Sequence, residues 1–96
     1  MLSQIPLNFE KVKKEELDKE ILRAAIIAEL DAINLYEQMA VLAQEEDIKK
    51  VLLDVAKEEK THVGEFQTML LRLDKEQVEE LEEGRKEVEE ITKKKM

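Results

Sequence analysis

The sequence predicts an all-α fold: two long antiparallel helices and a shorter third, in a bundle that a second copy of the chain completes. Three observations carry this. Charged residues make up 42% of the 96 residues and aromatics only 3%, with one Pro and two Gly, a composition typical of long helices. Alternating β-branched runs broken by glycine-rich turns are missing. Apolar residues recur at steps of three and four over stretches much longer than a strand. At this length the chain is at most one small domain, and association would help it bury enough surface to be stable.

Residues 1–13 read as an extended or irregular arm, since Pro6 disfavours helix in the residue before it. A first helix is expected over 14–45. Its stripe runs through Leu22, Ile26, Ile33, Ala40 and Ala43, with Glu29 and Tyr36 filling the slots between. The polar run Gln44-Glu45-Glu46-Asp47 ends it, and Asp47 is the expected N-cap of a second helix over 47–73. So short a turn makes the two helices antiparallel neighbours. The second stripe is Ile48, Leu52, Val55, Glu59, His62, Phe66, Met69 and Leu73, apolar except for Glu59 and His62. Asp74-Lys75-Glu76-Gln77 has the form of a capping box. It should open a third helix over 75–91 that carries Val78, Leu81, Val88 and Ile91 and is weakened in its middle by Gly84.

Several functions are disfavoured at once. The net charge of −8 argues against nucleic acid, whose phosphates need a basic surface. Lys93-Lys94-Lys95 reads as a solvated helix end. No stretch approaches the roughly 20 apolar residues of a membrane span. The first residues lack a basic segment followed by an apolar run, so a cytoplasmic protein is expected. With no cysteine, disulfides and thiolate-held zinc or iron–sulfur centres are excluded.

Three polar residues interrupt the apolar stripes, and each is a metal ligand by chemistry: Glu29, Glu59 and His62. Charges aimed at a core are costly unless paired or metal-bound. Glu59 and His62 are three apart, hence on one helical face, whereas Glu58 points to solvent. A hydrogen-bonded core pair is the competing explanation. Ferritin-like di-iron bundles use one Glu from each of two helices and a Glu-x-x-His from each of the other two. This chain supplies one of each, so a second chain is needed to finish the set. Two chains would bring four carboxylates together. Two divalent cations would neutralise them, and oxygen-rich ligation with one imidazole per metal suits iron(II) or manganese(II) better than structural zinc. Carboxylate bridges could hold two irons about 3.5–4 Å apart. Tyr36, two turns beyond Glu29, could hydrogen-bond a ligand carboxylate or supply an electron, or be an ordinary core tyrosine. Met39 and Met69 read as core filler.

Glu29-Leu30-Asp31-Ala32-Ile33-Asn34-Leu35-Tyr36-Glu37-Gln38, followed by Glu58-Glu59-Lys60-Thr61-His62, closely resembles the encapsulated ferritin family. The likeness is strongest to the ferritin-like segment fused to encapsulin shell proteins in some hyperthermophilic archaea, and it covers roughly residues 15–92. The resemblance implies protomers whose antiparallel pairs create ferroxidase centres at their interface, with Glu29, Glu59 and His62 as iron ligands and Tyr36 beside them. It implies open rings, decamers, inside an encapsulin nanocompartment that stores the oxidised iron. The expected activity is oxidation of Fe(II) to Fe(III), with a di-iron centre shared between two chains. The alternatives are a non-catalytic assembly module stapled by metal, or a di-metal peroxidase of rubrerythrin type; the lack of cysteine excludes a rubredoxin centre in this chain. Two departures stand out. Some relatives place Glu immediately before the ligand Glu and two residues after it, as an outer metal-access site, where this chain has Ala28 and Asp31. Cargo members also carry a C-terminal shell-targeting peptide, whereas this sequence stops at Lys94-Lys95-Met96, so targeting lies elsewhere or the chain is a segment of a longer protein.

Overall fold

The computed structural model describes residues 9–11 and 13–95. Most of the expected N-terminal arm therefore lies outside the described residues. Phe9–Lys11 and Lys14–Glu16 form single 3-10 turns. Three α-helices follow: α1 (Leu17–Leu42), α2 (Glu46–Leu73) and α3 (Lys75–Thr92). The expectation of two long helices and a shorter third holds, with no strand among the described residues.

The boundaries differ from the sequence expectation in three places. α1 ends at Leu42 rather than 45, so Ala43, expected on its stripe, is already extended (φ −63°, ψ 142°). The turn at Lys14–Glu16 is 3-10 rather than α, closed by the Glu16 N–H donating to the Lys13 carbonyl at 2.9 Å. Glu16 makes no side-chain cap, so α1 grows directly out of this tighter turn. The N-cap of α2 is Glu45, not Asp47. Its two carboxylate oxygens accept the N–H groups of Asp47 and Ile48, each at 3.1 Å. The helix starts one residue earlier than expected, and the longer Glu side chain reaches back over its free N–H groups. Asp47 instead lies in the first turn, where its charge suits the positive helix end. At the other junction Asp74 caps α3 as expected: its Oδ1 accepts the Gln77 N–H at 3.0 Å. Gly84 does not interrupt α3.

α1 and α2 pack along their length as a hairpin. Small residues set the approach: Ala40 is 4% and Ala56 1% exposed, with Ile33 and Leu70 also buried. No large side chain is fully buried among the described residues. The chain measures 46 × 44 × 19 Å, and two helices side by side, each about 10–12 Å across, account for its thin dimension. Its radius of gyration is 16.8 Å, against about 12.5 Å for a compact chain of this size. α3 buries none of its residues. The expected α2 stripe is not the buried face: Ile48, Met69 (expected as core filler) and Leu73 remain half exposed, as does Val51, because Ala56 and Leu70, one position around the helix, face α1 instead. Apolar side chains thus remain exposed on both the hairpin and α3.

Candidate metal centre

Hairpin geometry explains why residues thirty positions apart in sequence meet. Glu29 precedes the end of α1 at Leu42 by the same number of residues that Glu59 follows the start of α2 at Glu46. At 1.5 Å per residue both lie about 20 Å from the hairpin tip, at one height. His62 is one turn further along α2, on the face of Glu59.

Side-chain geometry completes the convergence. One ligand atom from each of Glu29, Glu59 and His62 lies within 4.8 Å of the other two. The Nδ1 of His62 is 3.3 Å from Glu29 Oε2 and 3.4 Å from Glu59 Oε2. Whether Nδ1 donates to Glu29 depends on the imidazole tautomer. Both contacts are longer than a strong charge-assisted hydrogen bond, about 2.7–2.9 Å. They come close to the spacing of neighbouring donors around one metal: ligand bonds of about 2.1 Å at right angles put their atoms about 3 Å apart. Two carboxylates and an imidazole are therefore disposed as a donor set for a divalent cation, and the fit rests on their chemistry and spacing alike.

The trio sits on an open face. The Glu29 and Glu59 side chains are 18% and 19% exposed, and the His62 ring is 44% exposed. The residues that the sequence placed on a core stripe thus face outward from the hairpin as much as into it.

The other two candidate residues lie apart from the trio. Asp31 is two residues after Glu29, hence on a different side of α1; it is buried and is not in the cluster. Tyr36 is half-buried, and its hydroxyl makes no hydrogen bond among the described residues. The sequence reading overlooked the neighbouring Lys60–Glu37 ion pair, at 3.0 Å between α2 and α1. The pair ties the two helices beside Glu59 and Tyr36. Both members lie on exposed positions, where helical periodicity carries no signal.

A family model described as rubrerythrin matches residues 20–95. The crystal structure of the encapsulated ferritin domain from Pyrococcus furiosus superposes with a TM-score of 0.84 at 56% sequence identity, covering 100% of both chains. The chain belongs to the encapsulated ferritins, within the rubrerythrin family. Two curated relatives carry the same association. A ferritin-like–encapsulin shell fusion protein of Pyrococcus furiosus is 67% identical over 79 residues, which is 82% of this chain and 23% of that protein. The encapsulin nanocompartment cargo protein EncC of Myxococcus xanthus is 40% identical over 74 residues, or 77% of this chain and 56% of that one. This encapsulated ferritin thus spans only part of the length of either relative. No helix among its described residues is long and apolar enough to cross a membrane.

Proposed function

We propose that this encapsulated ferritin is a ferroxidase that works as a pair of chains. Two hairpins face each other antiparallel across the Glu29–Glu59–His62 faces and together bind two Fe(II) ions as substrate. The observation that carries this reading is the convergent trio on an open face: one Glu and one Glu-x-x-His per chain is half of a di-iron donor set. Glu29 and Glu59 from both chains supply four negative charges, matching two divalent irons and still favouring them when each becomes trivalent. His62, as neutral imidazole, gives each iron one nitrogen donor and lies between the two carboxylates. The two Fe(II) give one electron each, which with two protons from solvent reduces dioxygen to hydrogen peroxide, or hydrogen peroxide to two waters.

Tyr36 stands two turns along α1 from Glu29 and is the residue proposed to hydrogen-bond a ligand carboxylate once the second chain is in place. Asp31 occupies the family position of an outer metal-access site. Because Asp31 is buried and off the face of the trio, that access site is proposed to be altered in this chain. The pairs are proposed to assemble further into a ring, a decamer, enclosed by encapsulin shell protein in the cytoplasm. Support for the shell partner comes from the shell-fusion and cargo relatives.

The test is mixing of iron-free protein with Fe(II) in air, followed by ferric absorbance. Fast oxidation by the native chain, lost in Glu29→Ala, Glu59→Ala and His62→Ala, is expected. Iron binding and pairing without faster oxidation would leave only a metal-stapled assembly module. Repeated consumption of peroxide with an electron donor, without build-up of ferric product, would favour a rubrerythrin-type peroxidase.

A further inference from the structure

α3 leaves α2 at a single non-helical residue. Asp74 has φ −130° and ψ 87°, while Leu73 and Lys75 on either side are helical. Rotation at this one residue would swing α3 as a rigid rod. Packing does little to prevent it. α3 buries no residue, and Val78, Leu81 and Val88 are each 44–45% exposed. A groove of about 410 Å³ separates α3 from the hairpin. Ile26 and Ile27 of α1, Leu70 and Leu71 of α2, and Leu81 of α3 are among the residues lining it. α3 is mostly charged, but its Leu81 lines this groove, so apolar burial would draw the helix toward the hairpin unless a fixed contact holds its angle.

The carboxylate of Asp74, at the end of α2, ties α3 to α1. One oxygen caps α3 through the Gln77 N–H at 3.0 Å. The other accepts Nη2 of Arg23, reaching across from α1, also at 3.0 Å. Arg23 itself lines the groove, so the pair spans it at the hinge end. Asp74 is well shielded, its side chain 13% exposed, whereas Arg23 is 45% exposed. The Gln77 N–H, the Arg23 guanidinium and the nearby Lys19 hold the Asp74 carboxyl below its ordinary value of 3.8. It is therefore charged at neutral pH.

We propose that the Arg23–Asp74 ion pair is a latch that sets the angle at which α3 leaves the hairpin and keeps the groove between them open. The cap from Asp74 to Gln77 starts the helix; the bond to Arg23 aims it. The two roles separate chemically, because Asn caps a helix about as well as Asp but offers Arg23 no charge.

Because the chain has no cysteine, spin labels can be placed cleanly at Lys57→Cys in α2 and Glu87→Cys in α3. Dilution with excess unlabelled chain confines the pulsed-EPR distance to one molecule. Glu87 lies about 20 Å along α3 from Asp74, so each 15° of swing moves its label by about 5 Å. Without further change the double-cysteine protein should give one narrow distance. Both Arg23→Gln and Asp74→Asn should shift or broaden it by about 5 Å or more, with helix content by circular dichroism unchanged. A distance unchanged by either substitution would overturn the latch. If only Asp74→Asn had an effect, the hinge residue or its cap would set the angle, and the Arg23 bond would not. Neither result bears on iron oxidation at the trio, so the latch and the ferroxidase reading fail independently.

Discussion

Glu58 and Glu59 offer the sharpest test of the site, because adjacent identical residues differ only in direction. Glu59 Oε2 lies 3.4 Å from His62 Nδ1 and within the cluster, with its side chain 19% exposed. Glu58, about 100° around the helix, is exposed. Glu59→Ala removes one carboxylate per chain and two of the four in the proposed pair. Groups that merely orient a metal ligand typically contribute 10–100-fold in affinity or activity, so loss of a ligand itself should cost at least about 100-fold, roughly 2.7 kcal/mol. Glu58→Ala removes no group of the cluster and, as a surface change, alters stability by only about 0.5 kcal/mol or less, so its rate should stay within about threefold of native. The assay is the initial rate of ferric absorbance after aerobic addition of Fe(II), with circular dichroism to show that both variants fold. A ratio of about 30 or more between the variants is expected from these two figures. Equal rates, or greater damage from Glu58→Ala, would refute the face assignment.

Three further outcomes follow from the fold and the half-site. Glu45→Ala removes the cap on two N–H groups of α2 and should lower stability by about 1 kcal/mol, read as a reduced urea midpoint; Asp47→Ala should cost less. Ala56→Leu forces a larger side chain into the closest approach of α1 and α2, where Ala56 is 1% exposed, and should destabilise by about 1–3 kcal/mol in the same titration. After aerobic iron loading and size-exclusion chromatography, the protein without shell should retain few irons per chain while excess ferric product precipitates. Hundreds of soluble irons per assembly would indicate a self-contained store.

The helices and the trio were legible because both depend on periodicity. The α1 stripe through Ile33 and Ala40 is buried as expected, whereas in α2 the face packed on α1 is one residue off the expected stripe, at Ala56 and Leu70; the polar residues interrupting the stripes still mark the site. The α2 cap was misassigned because side-chain reach competes with residue preference: Asp is the commoner N-cap, yet the longer Glu45 spans to Asp47 and Ile48. Arg23–Asp74 was invisible, since its partners are 51 residues apart and meet only when α2 ends beside the start of α1. The openness of the site was implied by the count of ligands, but its extent required the hairpin. His62 remains 44% exposed because one layer of two helices covers only one side of the stripe.

The central claim is that a complete site takes two chains. Native mass spectrometry of the iron-free protein, titrated with Fe(II) under nitrogen, tests it most directly. The account predicts even-numbered assemblies that gain iron in pairs and saturate near one iron per chain, with His62→Ala failing to do so. A folded monomer that binds two irons by itself would contradict it.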